Sequence, residues 1–206
     1  MEKSTNHKKH TEETGIRKKL IDNFNARFEQ TVALLKPTNV MDMGCGEGFM
    51  LKLVQKNAPE ARLTGCDISK QAVDIAQVNV GPEANIFVND SFTTPLAAGS
   101  FDLVICTEVL EHVEQYHQML AEIQRLAGKY VILTVPHEPW FILGNLLAGR
   151  HRSTRGNHPE HINHWNVRSF KKLVNQYFEP VKCFRVFPWI FYIGRINIEN
   201  NEGGCS

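Results

Sequence analysis

The sequence predicts an α/β protein with a doubly wound, parallel sheet and helices on both faces. Short apolar runs of strand length alternate with segments of helical periodicity, and a glycine-rich loop directly follows the first run. A later run, residues 101–106, is apolar throughout after Asp102, which is typical of a strand buried on both faces. Strands that alternate with helices require right-handed crossovers, and these produce a parallel sheet.

The first part of the chain provides most of these elements. An apolar face over residues 16–35 predicts a helix that Pro37 ends, and residues 1–36 form an N-terminal tail and helix. Ser69 is a predicted N-cap. Strands are predicted at 39–43, 62–66, 85–88, 101–106 and 129–135; helices are predicted at 49–56, at 69–80, and at 113–127 with Gly128 in the C′ position.

The second part has a different pattern. Residues 140–148 predict a short apolar helix, residues 149–164 a loop rich in arginine and histidine, and residues 167–178 a further helix. Residues 181–187 and 189–196 predict a hairpin at the sheet edge with Pro188 near its turn. Residues 199–206 are predicted to be a polar tail.

Composition excludes several classes of protein. A length of 206 residues suits one domain, and 23 Lys and Arg against 22 Asp and Glu give a net charge of +1, which disfavours a general nucleic-acid coat protein. No apolar run reaches the roughly 20 residues that span a bilayer, and the polar N-terminus does not resemble a secretory signal. The five cysteines fit neither a CxxC metal site nor a disulfide scaffold, so we predict a cytoplasmic location.

Acidic residues lie at the ends of three successive predicted strands, around the loop Gly44-Cys-Gly-Glu-Gly48. Ligands of such sheets bind at the carboxyl ends of the strands. Asp67 could there accept both ribose hydroxyls of an adenosine, and Asp90 could accept from an exocyclic amine. Glu47 and Asp42, which lie in or beside the loop, suit a ligand with an ammonium and a sulfonium better than the pyrophosphate of NAD. This pattern indicates S-adenosylmethionine.

Four segments resemble, in order and spacing, the motifs of class I S-adenosylmethionine-dependent methyltransferases of the type 11/12 kind: residues 40–48, 66–69, 89–92 and 101–113. The resemblance covers about residues 37–136. It implies a Rossmann-like sheet with an antiparallel last strand and a methyltransferase domain over residues 37–198. The cofactor-binding residues that it implies are Asp42, Gly44, Cys45, Gly46, Gly48, Asp67, Ile68, Asp90, Ser91, Phe92 and Thr107.

A second hypothesis concerns the segment Thr107-Glu-Val-Leu-Glu-His-Val113. Its ExxEH pattern resembles ubiquinone-pathway O-methyltransferases and small-RNA 2′-O-methyltransferases, in which these residues bind a metal. The resemblance implies that Glu108, Glu111, His112 and the later His161 could hold Mg²⁺ or a similar divalent ion. The alternative is a helix start at which acidic side chains are favourable without any metal.

The acceptor side is predicted in residues 136–166, as a lid insertion that combines the apolar helix and the basic loop. Such a lid suits a small-molecule acceptor with an apolar and an anionic part, such as a lipid-linked or phosphorylated compound. His112, His161 and His137 are candidate bases for transfer to oxygen. The alternatives are a non-catalytic cofactor-binding module, an RNA-end 2′-O-methyltransferase, which the balanced charge disfavours, and an NAD-dependent dehydrogenase.

Overall fold

The computed structural model describes residues 15–137 and 162–196. Within this range the chain divides into two compact units, one comprising the residues up to Thr94 and the other the residues from Pro95 onwards. Each unit contains parallel strands connected through helices, so we describe them one after the other.

The first unit is a three-stranded parallel sheet with helices before and between its strands. Its strands have the order β3-β2-β1, and in the register Met41 lies opposite Thr64 while Gly65 lies opposite Ile86. All three strands were predicted within one residue of their bounds. The elements are α1 (Ile16–Leu35), β1 (Asn39–Met43), α2 (Phe49–Asn57), β2 (Arg62–Asp67), α3 (Lys70–Val80) and β3 (Asn85–Val88).

Helix α1 buries the apolar face that its sequence predicts, but only over its later turns. Phe24 and Phe28 are buried in the core, whereas Ile16 at the first turn is 80% exposed. The helix ends where Lys36 adopts a left-handed conformation (φ 48°), one residue before Pro37. The cap predicted at Ser69 is confirmed, because its hydroxyl accepts a hydrogen bond from the Ala72 N–H.

The second unit has four strands in the order β4-β5-β7-β6. Strands β4 and β5 are parallel, and β7 runs antiparallel to both β5 and β6, so the predicted antiparallel last strand is confirmed. The predicted hairpin is also confirmed, with Pro188 in its turn. The elements are β4 (Phe101–Thr107), a 3₁₀ turn (Leu110–His112), α4 (Tyr116–Leu126), β5 (Ala127–Pro136), α5 (Val167–Val174), β6 (Glu179–Val186) and β7 (Trp189–Arg195).

The helix predicted at residues 113–127 begins three residues later than predicted and ends within one residue of its predicted end, at Leu126. It begins only at Tyr116, because a 3₁₀ turn comes first and the Asn163 side-chain amide donates to the carbonyls of Leu110 and Val113. Gly128 directly follows the C-cap Ala127, as predicted, but it does not adopt the left-handed conformation of a C′ glycine, since β5 already begins at Ala127. A Cβ at Gly128 would lie 2.7 Å from the Gly99 carbonyl oxygen. Glycine is therefore required there by close backbone approach.

Helix α5 ends at Val174, four residues earlier than predicted, and the chain continues through turns to β6. The predicted tails, the apolar helix at 140–148 and all but the last three residues of the loop at 149–164 lie outside the described residues. Within residues 15–137 and 162–196, no helix combines the length and the apolarity needed to cross a membrane.

Candidate functional site

The glycine loop turns sharply at the carboxyl end of β1. Gly44, Gly46 and Gly48 all have positive φ angles, of 75°, 52° and 79°. Other residues adopt such angles at a cost, so the three glycines match the backbone they form. The N–H groups of Gly44 and Cys45 both donate to the Cys66 carbonyl, at 2.9 and 2.8 Å. The loop is thereby attached to the carboxyl end of the neighbouring strand β2.

Asp67, the last residue of β2, is held in a fixed orientation by this loop. Its Oδ2 accepts a hydrogen bond from the Gly46 N–H at 2.9 Å, and its Oδ1 accepts one from the Ser69 N–H at 2.9 Å. A carboxylate oxygen has two lone-pair sites, so each oxygen can accept a further hydrogen bond. Two predicted site residues, Gly46 and Asp67, are thus in direct contact.

Asp42 places its carboxylate in the interior of the first unit. The residue is 1% exposed, and neither of its carboxylate oxygens accepts a hydrogen bond from a described residue. Burial, together with the negative charge of Asp67, raises the pKa of Asp42 to about 7. Burial also raises the pKa of the Cys66 thiol to about 11 and that of Cys45 further still, so neither is a nucleophilic thiolate at neutral pH.

The segment after β3 forms a tight turn through its own side chains. Asn89 Oδ1 accepts from the Ser91 N–H at 2.7 Å, and Asp90 Oδ1 accepts from the Phe92 N–H at 3.1 Å. Ser91 is buried with a positive φ of 65°, and its hydroxyl lies 3.2 Å from the Cys66 sulfur. Asp90 remains exposed, and Ile68 is 76% exposed.

In the second unit, Thr107 ends β4 and Glu108 follows in a left-handed conformation with a φ of 58°. The Glu108 N–H donates to the Thr134 carbonyl at 3.1 Å. Its carboxylate oxygen Oε2 accepts from the indole N–H of Trp189 at 2.8 Å. A strained backbone that is held by two hydrogen bonds is a feature of functional sites.

The remaining two residues of the ExxEH pattern differ in their exposure to solvent. His112 is exposed at the end of the 3₁₀ turn, whereas Glu111 is 1% exposed and its carbonyl accepts from the N–H groups of Ile162 and Asn163. Among the described residues, no group of three or more His, Cys, Asp or Glu side chains could hold a metal ion. His161 lies outside them, so the four-residue metal site stays a prediction and we derive no step through a metal.

His137, directly after β5, faces a cavity that the sequence did not predict. The residue is 6% exposed, and its backbone N–H donates to the Pro188 carbonyl at 2.8 Å. The cavity measures about 290 Å³, and the described residues that line it are His137, Arg185, Phe187 and Trp189. Burial and the nearby positive charge of Arg185 lower the pKa of His137, which favours the neutral imidazole.

Comparison with known proteins agrees with this geometry. The family described as "Methyltransferase domain" matches residues 41–132, a range that includes the glycine loop, Asp67 and the ExxEH segment. The chain therefore contains a methyltransferase domain over these residues, and its relatives support an S-adenosylmethionine-dependent enzyme. This methyltransferase is 28% identical over 163 residues to a ubiquinone biosynthesis O-methyltransferase of Coxiella burnetii (strain Dugway 5J108-111), a match that covers 71% of this chain and 68% of that protein. The match spans about half (51%) of the length of the proteins of that name from other strains.

Solved structures extend the likeness over most of the methyltransferase. Magnesium protoporphyrin IX methyltransferase from Synechocystis PCC 6803, determined with bound S-adenosylhomocysteine, has a TM-score of 0.65 at 21% identity and covers 90% of this chain and 89% of its own. The methyltransferase domain of bacterial CtHen1-CN has a TM-score of 0.69 at 18% identity, and the match covers 86% of this chain and 100% of that domain. At these identities the likeness shows the fold alone, and it confirms the predicted Rossmann-like class.

Proposed function

We propose that this methyltransferase transfers a methyl group from S-adenosylmethionine to an oxygen atom of a small-molecule or lipid-like acceptor. One observation carries the cofactor part of the proposal: three glycines with positive φ form a loop whose Gly46 N–H is hydrogen-bonded to the Asp67 carboxylate. This contact joins the two groups that must bind neighbouring parts of one ligand. The proposed domain extends over residues 37–198, with a reducing, cytoplasmic environment that suits the free thiols of the described cysteines.

The residues around the loop fit an adenosine that carries a cationic amino acid. When bound, the cofactor supplies an electrophilic methyl group on a sulfonium. Gly44, Cys45, Gly46 and Gly48 would line the methionine part, because glycine lets the backbone approach a ligand closely without a side chain in the way. Asp67 would accept the ribose hydroxyls through the lone pairs that its backbone donors leave unused.

Asp42 is proposed to respond to the charge of this ligand. Its carboxylate is buried with no donor among the described residues, so a positive charge nearby would stabilise its ionised form. Further along the site, we assign Asp90, Ser91, Phe92 and Ile68 to the adenine and Thr107 to the methionine part. Ser91 would act through its backbone turn, since its hydroxyl contacts Cys66.

Methyl transfer from a sulfonium is an in-line displacement, so the alignment of the acceptor supplies much of the rate. A hydroxyl acceptor must also lose its proton, and a neutral histidine can accept it. His112 is exposed beside Glu111 in the sequence, and His137 has a lowered pKa that keeps its imidazole neutral. We propose these two residues, with His161, as the candidate bases.

An oxygen acceptor of small size is favoured over RNA for two reasons. One relative, whose match covers 71% of this chain, is named as an O-methyltransferase of ubiquinone biosynthesis. The chain also has a net charge of only +1, whereas binding to a phosphate backbone depends on a local excess of Lys and Arg.

The test is methyl transfer from S-adenosylmethionine with a labelled methyl group into a cell metabolite extract, followed by separation of labelled products. We expect one class of labelled small molecule or lipid with an O-methyl group. Asp67→Asn should reduce the transfer about tenfold or more, because it removes a charged hydrogen-bond acceptor. Asp74→Asn, at an exposed acid that pairs with Lys70, should leave it unchanged. Label only in RNA, or in no product, would contradict the proposal.

The same assay tests the metal hypothesis for Glu108, Glu111, His112 and His161. If these residues bind a divalent ion, EDTA should abolish transfer and Mg²⁺ or another divalent ion should restore it. Unchanged transfer in EDTA would contradict the metal site and leave the methyltransferase proposal intact.

A further inference from the structure

The cavity beside His137 is formed where β5 and the β6–β7 hairpin end together. Phe187 and Trp189 provide two aromatic walls, and Arg185 provides a guanidinium group. Phe187 is 50% exposed although it is a large apolar residue in the turn of the hairpin. An exposed aromatic side chain that lines a cavity is typical of a ligand-binding surface.

The walls of this pocket are held in place by hydrogen bonds and by core packing. The Trp189 indole N–H donates to Glu108 Oε2 at 2.8 Å, which fixes the ring at the carboxyl end of β4. The His137 N–H donates to Pro188 O at 2.8 Å, so the end of β5 is joined to the turn of the hairpin. Ile190, the next residue of β7, is fully buried and anchors the strand. The pocket is therefore preformed, which lowers the entropic cost of binding.

The position of the pocket relates it to the acceptor. It lies at the carboxyl ends of β4 and β5, and ligands of sheets of this class bind at that edge. The proposed cofactor residues Gly44–Gly48, Asp67 and Asp90 do not line it. Its volume of about 290 Å³ is near the lower limit for a small-molecule site, and one or two fused rings would fill it.

Arg185 is the cationic residue among the described residues that line the pocket. Arg185 forms no ion pair with a carboxylate among residues 15–137 and 162–196. Its charge reaches the His137 imidazole, since it contributes to the lowered pKa of that residue. The planar guanidinium group matches a carboxylate or a phosphate with two parallel hydrogen bonds.

We propose that this pocket is an acceptor subsite that binds an aromatic ring carrying a carboxylate, with the ring against Phe187 and Trp189 and the carboxylate on Arg185. This inference rests on the proposed function, because it assigns a substrate class to the same enzyme. It places acceptor recognition on the β6–β7 hairpin, in addition to the lid that the sequence predicts at residues 136–166.

Calorimetry with two matched probes tests the proposal directly. 2-Naphthoate and 2-naphthamide share the same ring system and differ in the negative charge. The full chain, saturated with S-adenosylhomocysteine, should bind 2-naphthoate about tenfold more tightly than 2-naphthamide, which corresponds to one charge-assisted hydrogen-bonded pair. Equal affinity for the two probes, or no binding of either, would overturn the proposal.

Variants then locate the binding site. Arg185→Gln should reduce the preference for 2-naphthoate to about twofold or less, since the ring contacts remain and the charge pair is lost. Lys182→Gln is the matched control, because it removes an exposed cation from the same strand and lies outside the lining of the pocket. A preference that survives Arg185→Gln, or that Lys182→Gln also removes, would overturn the assignment to Arg185.

A failure of the acceptor subsite is distinguishable from a failure of the proposed function. If S-adenosylhomocysteine itself does not bind, the proposed function fails. If it binds while the naphthyl probes do not, only the acceptor subsite fails. If 2-naphthyl phosphate binds and 2-naphthoate does not, the pocket recognises a phosphate and the carboxylate assignment is wrong.

Phe187→Ala should weaken the binding of 2-naphthoate and of 2-naphthamide equally, because it removes a contact to the ring that both probes share.

Discussion

Asp42 shows how a single buried carboxylate can link a binding site to protein stability. In the absence of a ligand its two oxygens have no donor among the described residues, and burial with the charge of Asp67 raises its pKa from 3.8 to about 7. An acid with a raised folded-state pKa makes its full contribution to stability below its unfolded pKa. That contribution is lost as pH rises towards the folded pKa. Ionised Asp42 thus destabilises the fold without ligand at neutral pH.

The substitution Asp42→Asn should remove this pH dependence. Relative to the wild type, the free energy of unfolding of the variant should increase between about pH 4 and pH 7 by up to about 4 kcal/mol, and remain level above that range. Urea denaturation of the ligand-free protein at several pH values measures it. Asp74→Asn, at an exposed position, should show no such trend. A constant difference between Asp42→Asn and wild type would contradict the raised pKa.

Gly48 combines an unusual backbone conformation with close packing. Its φ is 79°, and a Cβ there would lie 2.6 Å from Val80 Cγ2 and 3.2 Å from Ala76 Cβ on helix α3. Gly48→Ala should therefore destabilise the protein by about 3 kcal/mol, through left-handed strain and overpacking together. Thermal or urea unfolding measures this.

Gly99→Ala is the matched control, since Gly99 has a similar φ of 64° but no atom within 4 Å of its Cβ position. It should cost about 1 kcal/mol, from strain alone. Equal effects of the two substitutions would show that packing against α3 is not what requires glycine at residue 48.

Helix α5 is short, with eight residues, and depends on its N-terminal cap and its buried face. Asn166 accepts from the Ser169 N–H, and the Ser169 hydroxyl accepts in turn from the Asn166 N–H. Asn166→Ala should lower the free energy of unfolding by about 1 kcal/mol, whereas Asn166→Ser should retain most of the cap. Urea denaturation of both variants distinguishes the cap from a general effect of the position; equal losses would argue against it.

The strands were predictable because each is a short apolar run bounded by turn residues, and the cap at Ser69 was predictable from its side chain. Gly128 was misread because its role depends on the approach of the Gly99 carbonyl, a contact 29 residues distant in sequence. The start of α4 was misread because Asn163 stabilises the preceding turn from another part of the chain. Local patterns contain no information on such tertiary contacts.

The candidate site, too, was predictable only where it depends on local sequence motifs. The glycine loop and Asp67 come from motifs, and the structure brings Gly46 and Asp67 into a hydrogen bond. The pocket of His137, Arg185, Phe187 and Trp189 depends on the antiparallel register that sets Pro136 opposite Trp189. A basic residue and two aromatic residues in a hairpin do not by themselves predict a pocket. A weak indication was available in Phe187 and Trp189, which flank Pro188 at the predicted turn.

At the scale of the whole molecule, cofactor binding and acceptor binding are proposed for different parts of the chain. The first unit holds most of the proposed cofactor residues, while the second holds Thr107, the candidate bases His112 and His137, and the proposed acceptor pocket. The near-zero net charge conceals this division, because buried acids lie beside the glycine loop and a cation faces the pocket. Substitutions in the β6–β7 hairpin should therefore change the substrate choice of this enzyme and leave its cofactor affinity unaltered.

The proposed cofactor is tested most directly by a calorimetric titration of the full chain with S-adenosylhomocysteine, with NADH as the counter-ligand. We expect saturable binding of S-adenosylhomocysteine at one site per chain, no binding of NADH, and at least about tenfold weaker binding of S-adenosylhomocysteine by Asp67→Asn than by Asp74→Asn. Binding of NADH in preference to S-adenosylhomocysteine, or an affinity for S-adenosylhomocysteine that Asp67→Asn leaves unchanged, would contradict the assignment.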